Sequence, residues 1–292
     1  MTAEWRVLWR FMSATGLVAL ISASAVPAAT AQEPSRVSVA TGADFSHAYF
    51  FRGIVQERSG VVAQPFFEVA FNLFEGTEGL NNVSLTIGQW NSLHSGPSGS
   101  DGPSENAAAW YESDFYTGFS FGVDNWDFGL TYTAYLSPNA SFGTVKELAL
   151  NFAVDDSAWL GRLALSPHIL MAVELGGQAD GGASEGVYVE LGVEPGLPTT
   201  LNLRGSPIAL SVPVTLGISL SDYYEETPGN DSAFGFADIG IVATMPLAVA
   251  ESYGDWEISA GVHLMTLGDA LTAFNRGDGV QAVGTFGFSL GY

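Results

Sequence analysis

The sequence predicts an all-β chain: a closed antiparallel transmembrane β-barrel of about twelve strands, with short periplasmic turns and longer outer loops. Three observations predict it. The 292 residues are 47% hydrophobic and 12% aromatic but only 14% charged, and beyond residue 31 there is no apolar run of about 18 residues, so spanning helices are not expected. Period-two alternation runs through almost the whole chain, while helical i, i+3, i+4 spacing is scarce. The alternating stretches are about 9–14 residues long. Soluble strands average about 5–6, whereas a tilted membrane strand needs about 9–11.

The N-terminus comes first. Arg6 and Arg10 form a short basic region, Phe11 to Ala25 is apolar and small, and Ala29-Thr30-Ala31 precedes Gln32 as a cleavage site. That layout predicts a signal peptide over residues 1–31 and a barrel over residues 32–292. Given the barrel pattern, the expected export target is the bacterial cell outer membrane, with its lipid and its barrel assembly machinery as expected partners.

Twelve strands follow in order: Val37–Phe51, Pro65–Leu73, Val83–Leu93, Trp110–Val123, Trp126–Leu136, Val145–Val154, Leu163–Leu175, Val187–Pro195, Leu210–Leu220, Phe234–Met245, Trp256–Leu267 and Val280–Tyr292. In the clearest of them, Tyr111, Phe115, Thr117, Phe119 and Phe121 share one face. Trp110, Glu112, Asp114, Tyr116 and Ser120 share the other. Connectors alternate between long Gly/Ser/Asp-rich segments, such as His94–Ala109 and Gly268–Gly279, and shorter ones, such as Asp124-Asn125 and Asp155–Ala158. Gly196–Pro207 is the long exception on the inner side. This is the loop asymmetry of an outer-membrane barrel. Trp126, Trp159 and Trp256 open strands at the inner end and Tyr292 closes the last, as interfacial aromatics do. Phe286, Phe288, Leu290 and Tyr292 alternate outward along the final strand and form the expected assembly signal. That strand should pair with the first, because an unpaired apolar edge invites aggregation.

Residues Tyr49-Phe50-Phe51-Arg52-Gly53-Ile54-Val55-Gln56 resemble a Y-x-F-R-G-x-x-Q run in the TorF-like porin family of bacterial outer-membrane β-barrels. The likeness continues through Gly88-Gln89-Trp90-Asn91-Ser92, Glu112-Ser113-Asp114-Phe115-Tyr116 and Trp126-Asp127-Phe128-Gly129, over about the first half of the mature chain. The second half carries only generic alternation. The resemblance implies an outer-membrane barrel acting as a channel, with the run ending the first strand and no solute specified.

Composition narrows the chemistry. With no cysteine, thiolate metal sites and thiol nucleophiles are excluded. A formal net charge of -22 argues against nucleic acid, whose phosphates require Lys and Arg. No cofactor fingerprint is present. His94-Ser95 offers a weak hydrolase pair at the outer rim, and His168 and His263 face inward on separate strands, too far apart to pair confidently on a metal. Parity sends Glu68, Glu112, Asp114, Glu147, Glu174, Glu190 and Asp238 inward, with Asp44, Asp127, Glu194 and Glu257. Among basic residues only Arg52 and Arg162 join them. The expectation is an acidic ring, opposed by Arg52, that prefers cations among small solutes. Inward Trp90, Trp110, Tyr116, Tyr135, Tyr188, Phe234 and Phe236 narrow the passage. The alternatives are a barrel enzyme or surface binder acting through its outer loops, or a soluble exported β-sandwich.

Overall fold

The computed structural model describes residues 36–99, 109–199, 201–227 and 230–292. The expected signal peptide, residues 1–31, lies outside them. Twelve staves form one closed antiparallel barrel: β1 Val37–Ser46, β2 Val62–Glu75, β3 Leu80–His94, β4 Trp110–Val123, β5 Trp126–Leu136, β6 Val145–Val154, β7 His168–Gly176, β8 Val187–Val193, β9 Val214–Ser221, β10 Phe234–Pro246, β11 Asp255–Leu267 and β12 Val280–Gly291. Each pairs with its neighbour in sequence, and β12 closes on β1 through Ala40↔Gly291 to Ser46↔Thr285. No described helix is long and apolar enough to cross a membrane.

Alternation decides the facing. Phe67, Ile87, Phe115, Phe119, Leu148, Leu150, Ile241, Val262, Phe286 and Phe288 are exposed on the outer surface. Their sequence neighbours Glu68, Asp114, Tyr116, Glu147 and Ala149 are buried inside, as are Trp90 and Asp238. Several inward rings lie over glycines of the adjoining strand: Tyr116 over Gly88, His168 over Gly192, Phe236 over Gly217 and His263 over Gly240. A Cβ at any of these glycines would come within 2.6 Å of the ring. Small residues beside large ones let bulky side chains lie flat against the wall.

The structure corrects several expectations. The first wall strand ends at Ser46, and the Tyr49–Gln56 run leaves the wall instead of ending that strand. A register shift between Ser92 and Leu93 makes Tyr111 an extra residue in β4. Tyr111 therefore turns inward and Trp110, expected inside, is exposed. A second shift beside Gly217 passes over Gly235 in β10 and leaves Phe234 outside as well. A bulge adds one residue and inverts parity beyond it.

Residues 155–167 do not form a tight turn. Asp156 accepts the backbone N–H groups of Leu165 and Ser166 at 3.0 Å, folding a helical turn at Ser157–Leu160. Strand β7 therefore starts at His168, and Arg162 is exposed outside the lumen. Trp159 sits on this turn and packs 5.9 Å from Trp126, so both aromatics still mark the inner end. The ninth stave breaks at Val212-Pro213, after Ala209–Ser211 has paired with a short extension of the eighth at Gly196–Leu197. Proline has no N–H for the ladder, which accounts for the break.

Candidate functional site

The loop between β1 and β2 folds into the mouth of the barrel. Tyr49–Phe51 pairs with Ile54–Glu57 around Arg52 and Gly53, at φ 48° and 81°. Two central residues at positive φ are what a tight type I′ hairpin requires. Every residue of both short strands is buried. The sequence carried a signal for this: Phe50-Phe51 and Ile54-Val55 are adjacent apolar pairs, which fit a strand enclosed on both faces and not an alternating wall strand.

Arg52 forms the tip. Its guanidinium is fully buried and makes a bidentate pair with Glu147, Nη1 to Oε2 at 2.6 Å and Nη2 to Oε1 at 2.8 Å. Nη1 also donates to the Tyr223 hydroxyl at 2.7 Å. The guanidinium carbon lies 4.2 Å over the Tyr188 ring, with Phe51 and Tyr223 at 5.1 and 5.3 Å. Tyr135 donates to Glu147 Oε1 at 3.1 Å, and Tyr224 donates to the Arg52 carbonyl at 2.9 Å. Arg58, at the base of the hairpin, donates to the Phe274 carbonyl.

The other inward carboxylates divide by partner. Glu112 accepts from Tyr49 of the hairpin at 3.0 Å, and Glu68 accepts from Tyr116 at 3.0 Å. Glu174 stands opposite Glu147 in register and accepts the backbone N–H groups of Ala179 and Gly186 at 2.7 Å. Glu190 accepts from Tyr188 at 2.7 Å, with His168 4.0 Å away. Asp238 meets His263 at 2.8 Å. Asp114 is fully buried and neither of its oxygens has a hydrogen-bonding partner. Glu112, Asp114, Glu147 and Glu174 thus form an arc across β4, β6 and β7, with Arg52 set against it. Glu68, Glu190 and Asp238 have tyrosine or histidine partners of their own.

His94 is buried at the end of β3 and stacks 4.3 Å from Tyr111. Its Nε2 is 2.8 Å from Ser92 Oγ, and its Nδ1 is 2.7 Å from Ser98 Oγ and 3.3 Å from Glu57 Oε2. The hydroxyl nearest its ring is therefore Ser98, with Ser92 close behind. Ser95 accepts the Val61 N–H instead. Glu57 belongs to the outer loop and also accepts the Gly96 N–H at 3.1 Å; burial pushes its carboxyl up to about 7. His168 and His263 have separate acidic partners. No group of three or more His, Asp or Glu among the described residues is placed to hold a metal ion.

No family model matches the chain, and no curated protein matches it. The TorF-like likeness therefore stays at the level of its motifs. Among solved structures the chain is similar to the NanC porin, at 12% identity and a TM-score of 0.41 over 87% of this chain and 98% of that one. It is similar to the translocator domain of the autotransporter NalP from Neisseria meningitidis, at 11% identity and 0.42 over 89% and 88%. It is also similar to the transport unit of the autotransporter AIDA-I from Escherichia coli, at 11% and 0.37 over 95% and 94%. The barrel assignment rests on the strand pairing described above.

Proposed function

We propose that the chain is a bacterial outer-membrane β-barrel, exported by its N-terminal signal, and a cation-preferring channel for small solutes. One observation carries the reading: an arc of buried carboxylates lines the outer lumen, and a hairpin from the outer mouth sets one arginine against it. The apolar outer belt supports lipid as the surrounding medium, because a closed sheet satisfies its backbone without water. Fixed negative charge near a narrow passage attracts cations and repels anions, and it acts at close range because screening at physiological salt has a length of about 8 Å. The hairpin makes conduction depend on its own position.

A serine–histidine–glutamate relay at His94 would suggest a second reading, a barrel hydrolase. His94 Nδ1 is, however, hydrogen-bonded to Ser98, and Glu57 Oε2 approaches it at 3.3 Å without a hydrogen bond, so the orienting acid is not engaged. Ser92 is fully buried beneath the hairpin. The same contacts serve as a latch joining hairpin, strand end and second outer loop, and we take the relay in that sense.

The test is a reversal potential across a salt gradient in a planar bilayer. Cation preference should fall when Glu112→Gln, Asp114→Asn and Glu147→Gln are combined. An anion-selective pore, or a cation preference unchanged by these substitutions, would overturn the reading.

A further inference from the structure

We propose that Glu147, Tyr135, Tyr188 and Tyr223 form a binding site for guanidinium-bearing small solutes, which Arg52 occupies as a tethered stand-in while the hairpin is docked. The inference deepens the channel reading by naming its solute class, and it rests on that reading for transport but not for binding.

The occupant and its receptacle belong to separable elements. Arg52 is carried by the hairpin, whereas Tyr135, Glu147 and Tyr188 belong to wall strands β5, β6 and β8. Tyr223 comes from the outer loop after β9. Withdrawal of the hairpin removes Arg52 and leaves Tyr135, Glu147 and Tyr188 on the wall. The geometry suits one chemistry best. Two parallel N–H···O bonds at 2.6 and 2.8 Å match a planar fork to a carboxylate, and a ring at 4.2 Å offers its face to the same plane. An ammonium ion has neither the fork nor the flat face, and stacks less well.

Charge favours a replacement cation. Arg52 brings one positive charge to four carboxylates, of which Asp114 is fully buried with both oxygens unpartnered. Glu147 itself stands opposite Glu174. Removing the guanidinium leaves a buried carboxylate uncompensated, which is strongly unfavourable. A solute that supplies the same group lowers that cost, so binding and hairpin release are linked as two occupants of one site.

The experiment is chemical rescue of the full chain refolded in detergent. Arg52→Ala should melt lower than wild type, and millimolar methylguanidinium should raise its melting temperature by several degrees. Ethylammonium should require about tenfold more to match it. Rescue should disappear in the double variant R52A/E147Q. Equal rescue by both cations, or rescue that persists in the double variant, overturns the site. Should R52A fail to fold, Arg52→Lys keeps the charge without the fork, and calorimetric binding of methylguanidinium is read on that variant against R52K/E147Q, with the same two outcomes. Methylguanidinium binding by a protein that passes no current would leave the site standing and overturn the channel. Conduction without binding would do the reverse.

Discussion

At the residue scale, burial sets the behaviour of Glu57. Its side chain is fully enclosed, facing His94 Nδ1 and the Gly96 N–H, and its carboxyl is raised from 4.5 to about 7. A raised carboxyl binds its proton more tightly with the hairpin docked than with it released. Glu57's own contribution to docking is therefore greatest below about pH 4.5, weakens as pH rises through 7 and then levels off, while His94, buried against the same hairpin, contributes with the opposite sign. The chain has no cysteine, so a spin label placed at exposed Ser59 reports this segment alone. In a His94→Gln background, which removes the opposing imidazole, the label should grow more mobile between about pH 5 and pH 8, and adding Glu57→Gln should reduce the change. A label that tightens with rising pH would contradict this sign. Glu57 was not among the inward charges read from the sequence, because parity along a wall strand has nothing to say about a loop that folds inside.

At the element scale, the hairpin depends on Gly53. Its φ of 81° strains any L side chain, and a Cβ there would approach Leu271 Cδ1 to 2.5 Å. Gly79, in the turn between β2 and β3, has φ 63° but open space around it. Both changes to Ala carry a backbone cost of about 1–2 kcal/mol, and only Gly53→Ala adds a collision. Gly53→Ala should displace the hairpin and raise single-channel conductance. Gly79→Ala should lower stability in detergent with conductance unchanged, and equal conductance changes in the two would argue against the hairpin as the constriction. The same scale separates legible strands from illegible ones. Strands β5 and β6 match their expected limits because unbroken alternation marks both edges. Trp110 and Phe234 were misplaced because each precedes a bulge, and one extra residue is invisible to a period-two count.

At the scale of the whole molecule, closure depends on β12, which bonds to both β1 and β11. Phe288 is exposed on the outer face and stacks 6.3 Å from Phe45, whereas Ser289 faces inward opposite Glu257. Phe288→Lys should impair barrel assembly in a bilayer, since a cation on a lipid-facing strand costs about 0–4 kcal/mol depending on depth. Ser289→Lys meets an acidic partner and should assemble normally. Heat-modifiable migration in detergent gels reads both, and equal assembly would refute the facing. We also propose Phe286, Phe288, Leu290 and Tyr292 as the assembly signal, of which Phe286, Phe288 and Tyr292 are exposed to a partner.

The sequence by itself determined the class, the number of staves and the face of nearly every wall residue, because an apolar outside and a polar inside impose a strict period of two on any closed sheet. It also placed Glu112, Asp114, Glu147 and Glu174 inside. Only the tertiary structure decided what those carboxylates meet. The Tyr49–Glu57 segment pairs with itself, and its hydrogen bonds reach residues up to 172 positions away, as in the bond from Tyr224 to the Arg52 carbonyl. No local pattern encodes such contacts; they exist because closing the barrel brings β4, β6, β8 and two outer loops around one enclosed space, where a buried arginine needs a carboxylate and aromatic faces.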